Sequence, residues 1–155
     1  MKVVWIVLGV LAFLGLACCG GMFFLGKGLF QSVADANDQA DKYSAQILPQ
    51  IAKSWDYDVV QGVASPEFKE QVKEDNLRTL LALYKEKLGA FKSVGEFTAS
   101  NTQAKTSNGN SLVIVTTNAT AQFEKGAGAV KFEVVKRGED WKLLAIEIES
   151  EALRK

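Results

Sequence analysis

From Val3 to Leu25 the chain runs without a charged side chain, Asn, Gln, Ser, Thr or Pro. A helix rises about 1.5 Å per residue, so such a run reaches about 34 Å. That is enough to cross a hydrocarbon core of about 30 Å. Lys2 and Lys27 flank the run where their ammonium groups can sit among headgroups, and Trp5 suits the interfacial belt. These features predict a single membrane span, residues 3–25, within an anchor of residues 1–28. Everything else must then fold beside a membrane.

Two processing routes compete with a retained anchor. Ala17-Cys18-Cys19 is a small-x-small triplet after an apolar stretch, which would allow signal cleavage after Cys19. Leu16-Ala17-Cys18-Cys19 is a partial bacterial lipoprotein box, with Cys19 as the acylated residue. Both would expose Met22-Phe23-Phe24-Leu25 near a new N-terminus, so retention is the leading expectation. Ala17 and Gly21 form a small pair four apart of the kind that lets two spans approach, which would allow a homodimer, although glycines are common in spans and ordinary packing is the default. One lysine flanks each end, so the positive-inside rule has little to count. Asp35, Asp38 and Asp41 after Lys27 favour placing the domain outside the cytoplasmic membrane of a bacterium.

All 18 acidic residues lie beyond the apolar run, and 18 basic residues minus Lys2 and Lys27 leaves 16 to face them. Both signs are interspersed, which argues against nucleic acid, whose binders cluster basic residues on one face. The chain has no histidine, which removes the commonest general base and metal ligand. No metal or cofactor is therefore expected. Both cysteines, Cys18 and Cys19, lie in the apolar run, so no disulfide framework holds the domain. Residues 29–155 suffice for one domain with its own core, centred on residues 40–150.

Val33, Ala36, Ala40, Tyr43, Ile47 and Ile51 recur at spacings of three and four, predicting one helix face with Ser32 as N-cap. Pro49 predicts a kink or break near Leu48. Asp56 can cap a short helix over residues 57–63, and Ser65-Pro66-Glu67 reads as another start. A stronger helix is expected from about Asn76 to Leu88, capped by Asp75 and stopped by Gly89, with Leu77, Leu80, Leu81, Tyr84 and Leu88 on one face.

After Phe91 the texture turns to strand. Residues 94–104, Leu112 to Phe123, Val130 to Lys136 and Trp141 to Glu149 are separated by turn signals at Ser107-Asn108-Gly109-Asn110, Gly126-Ala127-Gly128 and Arg137-Gly138-Glu139-Asp140. Leu144, Ile146 and Ile148 are expected on one face of the last strand. An antiparallel four-stranded meander is predicted. Helices followed by an antiparallel sheet give an α+β class, the helices packed on one sheet face.

Four stretches carry a resemblance: Ser54-Trp55-Asp56-Tyr57-Asp58-Val59-Val60, Ala64-Ser65-Pro66-Glu67-Phe68, Leu88-Gly89-Ala90-Phe91-Lys92-Ser93 and the closing Gly138-Glu139-Asp140-Trp141-Lys142-Leu143 hairpin. Over about residues 40–150 the chain resembles the cystatin-like α+β cone of the nuclear transport factor 2-like superfamily, and within it small bacterial domains behind a signal or anchor. The resemblance implies a curved sheet wrapped around a long helix, with a cone mouth that holds a ligand in many members. Some members are isomerases, dehydratases or epoxide hydrolases; many bind small molecules or dimerise.

Asp56, Tyr57 and Asp58 form the densest polar cluster near the expected mouth. One aspartate could act as general base there, with Tyr57 or Tyr84 as oxyanion donor, if an apolar wall raised its pKa. The plainer reading is an N-cap aspartate beside a half-buried tyrosine. Trp55, Tyr84, Phe97 and Phe123 are candidates to line a pocket for an apolar ligand, with core packing as the default. Glu96 could face the cone or water. Glu133, Glu147 and Glu149 read as the wet sheet face, with Lys131, Lys136 and Lys142 pairing across strands. Thr116, Thr117, Asn118 and Thr120 line one long strand along which a partner could add. The expected role is a membrane-anchored, non-enzymatic binding or assembly module engaging a membrane-proximal protein or small apolar ligand. An isomerase- or hydratase-like enzyme using Asp56 or Asp58, and an envelope lipoprotein acylated at Cys19, are the alternatives.

Overall fold

The computed structural model describes residues 32–107 and 110–154. No helix among them is long and apolar enough to cross a membrane. The apolar run 3–25, with Cys18 and Cys19, lies outside the described residues.

The described chain opens inside a helix, α1, residues 32–54. Residue 32 is already helical, and the start of the helix lies at the edge of the described residues. Pro49 does not break α1. Proline removes one backbone donor, but Leu48, Ile51 and Ala52 around it are wholly buried, and that packing keeps the helix continuous.

Three helices follow: α2 (Tyr57–Val63), α3 (Pro66–Gln71) and α4 (Glu74–Leu88). Asp56 caps α2, its carboxylate accepting from the Asp58 N–H at 2.9 Å. Ser65 caps α3, its hydroxyl accepting from the Phe68 N–H at 3.2 Å. The cap expected at Asp75 is not found. Helix α4 starts after Lys73, whose side chain makes no cap bond, and Glu74 and Asp75 both sit in the first turn, where the helix dipole favours anions. Gly89 ends α4 at φ 74, a left-handed conformation glycine adopts without steric cost.

The sheet is antiparallel, open and five-stranded rather than four-stranded: β1 (Phe91–Val94), β2 (Thr98–Ser107), β3 (Asn110–Phe123), β4 (Gly126–Arg137) and β5 (Asp140–Ser150). The extra strand comes from a break in the first. Both β1 and β2 pair with β3, β1 along residues 121–123 and β2 along 110–118. Between them the Gly95 N–H donates to Thr120 O at 2.9 Å, and Phe97 turns inward to stack on Phe132 with centroids 5.6 Å apart. Burying that ring interrupts the ladder.

The second turn also sits earlier than expected. It is Glu124–Lys125, and Gly126, Ala127 and Gly128 belong to β4. A Cβ on Gly128 would lie 3.2 Å from both the Phe123 ring and Ile148, so this strand glycine makes room for an aromatic side chain. In β5 an extra residue opposes β4 between the Glu133–Ala145 and Val134–Leu143 pairs. This bulge puts Leu143, Ile146 and Ile148 with the core and Leu144 with the other face, against the expected Leu144 alternation.

Helix α1 is tied to four strands. Ser44 and Thr117, both fully buried, share a hydroxyl–hydroxyl hydrogen bond of 2.8 Å to β3. Thr102 of β2 donates to Asn37 Oδ1. Lys136 of β4 and the Trp141 indole N–H of β5 both donate to Gln39 Oε1, at 2.7 and 3.4 Å. The core between helices and sheet holds Leu48, Ile51, Leu88, Val115, Phe132, Val134 and Leu143, each 0% exposed.

Candidate binding surface

The polar cluster expected at a cone mouth forms on the outside. Asp56 and Asp58 are exposed and Tyr57 is half-buried. With Ser54, Trp55, Arg78, Leu81, Ala82 and Lys85 of the neighbouring helices, Asp56 and Tyr57 line a shallow groove of about 320 Å³. The Arg78 guanidinium lies 4.2 Å from the Tyr57 ring centroid and bonds Glu74 at 2.8 Å, so its charge is already engaged. Asp56 spends one carboxylate oxygen on the α2 cap. An N-cap lost from an exposed helix costs about 1 kcal/mol. Asp56→Ala should therefore lower the unfolding free energy measured in urea by about 1 kcal/mol, and Asp58→Ala by less.

The aromatic candidates are brought together, but inside. Trp55 packs on Tyr84 and Phe123 with centroids 5.4 and 6.0 Å apart, and Phe91 meets Phe123 at 6.2 Å. The Trp55 indole N–H donates to Gly89 O at 3.2 Å. Burial pushes the Tyr84 hydroxyl pKa up, opposed by a backbone hydrogen bond at Ile148. Phe97 sits apart from them, on Phe132.

The sheet face away from α1 carries two further concavities. One, of about 550 Å³, is lined by Glu96, Asn118, Thr120, Ala129, Lys131, Glu147 and Glu149 among others. The other, of about 300 Å³, has Ile114, Leu144 and Ala145 beside Gln71, Asn101, Gln103, Lys105, Thr116 and Glu133. Lys131 reaches Glu147 at 3.5 Å across the strands, and Asn118 donates to Ser100 Oγ at 2.7 Å. Glu96 therefore joins the wet face, as Glu147 and Glu149 do. Two expectations are corrected by pleat parity. Lys136 falls on the helix side, bonded to Gln39 and 5.8 Å from the Trp141 ring centroid, and Thr117 is buried against Ser44. Among the described residues no group of three or more His, Cys, Asp or Glu is placed to hold a metal ion.

Asp41, which the sequence marks only as one of the acidic residues after the apolar run, sits at one end of β2. Its carboxylate accepts from the Ala99 N–H of β2 at 3.2 Å, while Oδ1 is buried without a partner among the described residues. Desolvation raises its pKa; the Ala99 bond opposes this, and the nearby charges of Asp38 and Glu96 add to the rise. A raised folded-state pKa means the protonated form is favoured on folding. Its stabilising contribution is present below the ordinary carboxylate pKa and lost as pH rises through the raised value. Asp41→Asn keeps an acceptor for Ala99 without the charge. It should melt higher than wild type at pH 7, with the difference closing toward pH 3, a trend that thermal scans across pH will read.

No protein-family model matches the chain, and no curated protein matches it either.

Proposed function

We propose that this chain is a membrane-anchored, non-enzymatic binding or assembly module, held outside the cytoplasmic membrane of a bacterium by residues 3–25 and engaging a membrane-proximal protein. The cystatin-like, nuclear transport factor 2-like resemblance supports the reading, since many such domains act by binding alone. One observation carries it: the layer between α1 and the sheet is filled by wholly buried side chains, whereas the sheet face away from α1 carries two open, polar-lined concavities. A protein surface suits that open face better than a small apolar ligand does. The runner-up, an isomerase- or hydratase-like enzyme, needs a desolvated carboxylate, and Asp56 and Asp58 are exposed.

The anchor is tested by washing membranes in alkaline carbonate and weighing the retained protein. The expected result is a pelleted chain of full mass, its domain digested by protease added from outside. Release of a chain lacking residues 1–19 would overturn the anchor. A lipid mass on Cys19 would replace the span with acylation.

A further inference from the structure

Strand β2 is an open sheet edge. It pairs with β3 on one side, and among the described residues no strand lies on its other side. Residues 101 and 103–106 are exposed, and the ten-residue strand carries one charge, Lys105, and no proline. A bare edge of this length is a template for a further strand. Its first residues are blocked, because Asp41 takes the Ala99 N–H and the register shifts between Ala99 and Asn101. The usable stretch is therefore 101–107. At the opposite edge Ala64 bridges Leu143, whose carbonyl accepts from the Ser65 N–H at 2.8 Å. That edge is covered at this point.

The phase of the edge follows from the hairpin. Ser107 pairs with Asn110 across two intervening positions, a closure in which the flanking residues face their backbone groups toward each other. Alternation then turns the N–H and C=O of Thr106, Ala104 and Thr102 away from β3. The Ala99 N–H, leaving the sheet for Asp41 beyond the register shift, fits the same phase.

We propose that β2 pairs antiparallel with β2 of a second copy of this chain, about a two-fold axis through Ala104. The smallest side chain then meets itself at the axis. Thr102 faces Thr106 of the second copy, and Gln103 faces Lys105, pairing hydroxyl with hydroxyl and amide with ammonium. A register centred on Lys105 would oppose two like charges. The contact is isologous and uses the free edge of each copy, so assembly stops at two. So short a strand pair buries less area than a stable dimer in free solution needs. Pairing therefore depends on both domains being held on one membrane, which raises their effective concentration. In that respect it rests on the anchored reading above.

The test places single cysteines in the full-length chain, Ala104→Cys, Gln103→Cys or Lys105→Cys, oxidises intact membranes mildly, and maps linked peptides by mass. Directly opposed hydrogen-bonded residues sit about 5.5 Å apart at Cα, within disulfide reach, whereas diagonal neighbours are about 7–8 Å apart. Ala104→Cys should give at least about tenfold more self-linked dimer than the other two, and mixing Gln103→Cys with Lys105→Cys should link residue 103 to residue 105. Ala104→Pro, tolerable on an edge, should keep the wild-type circular dichroism and lose chemically cross-linked dimer. Equal linking at all three positions, linking only through Cys18 or Cys19, linking to another protein, or a dimer surviving Ala104→Pro would each overturn the pairing. A negative result with the chain in the carbonate pellet would sink the pairing alone; a chain found soluble would sink the anchor as well.

Discussion

Replacing Trp55 with alanine should lower the unfolding free energy by about 3–5 kcal/mol, the largest loss expected of any single change considered. The ring is 6% exposed and packs on Tyr84 and Phe123, joining α1, α4 and β3. Its N–H bond to Gly89 O ties it to the end of α4. Trp55 also adopts φ 51, a left-handed conformation in a bulky residue, which costs on the order of 1–3 kcal/mol. Ring burial outweighs that strain. Alanine would lose the burial and keep the strain, whereas glycine would lose the burial and be relieved of it. Trp55→Gly should therefore be no less stable than Trp55→Ala in urea, the reverse of the usual order. A clearly worse glycine variant would refute the strain argument.

The second large effect concerns the Ser44–Thr117 hydrogen bond at the centre of the molecule. Both side chains are 0% exposed and 2.8 Å apart. Thr117→Val leaves the Ser44 hydroxyl buried without this partner, costing about 1–3 kcal/mol, and Ser44→Ala strands Thr117 in the same way. Replacing both removes the pair and its desolvation penalty together. The double variant should regain most of the loss, so a double-mutant cycle should show strong coupling. Simple additivity would mean that the two hydroxyls find other partners.

Much of this fold can be read from local chemistry. Ser65 before Pro66, Asp56 before α2 and Gly89 after α4 act as the caps and stop their residue types suggest, because a cap depends on its nearest backbone groups. The strands after Phe91 also follow from their β-branched texture. The failures have tertiary causes. Pro49 stays helical because its neighbours are buried, and the break at Gly95–Phe97 exists to seat one ring on Phe132. The β5 bulge changes the face on which Leu144 lies, and no spacing in the strand announces it. The site was less legible than the fold. Tyr84, Phe97 and Phe123 were recognisable as large apolar residues, but only packing puts them in the core and the polar side chains on the open face.

The most direct test of this account is native mass spectrometry of the full-length protein, extracted gently from its own membranes. A filled interior predicts the chain, alone or with a protein companion, and no small molecule released on denaturation. A monomer that gives up one equivalent of an apolar compound on unfolding would contradict it. The interior would then be a ligand pocket, and the sheet face away from α1 would lose its claim as the binding surface.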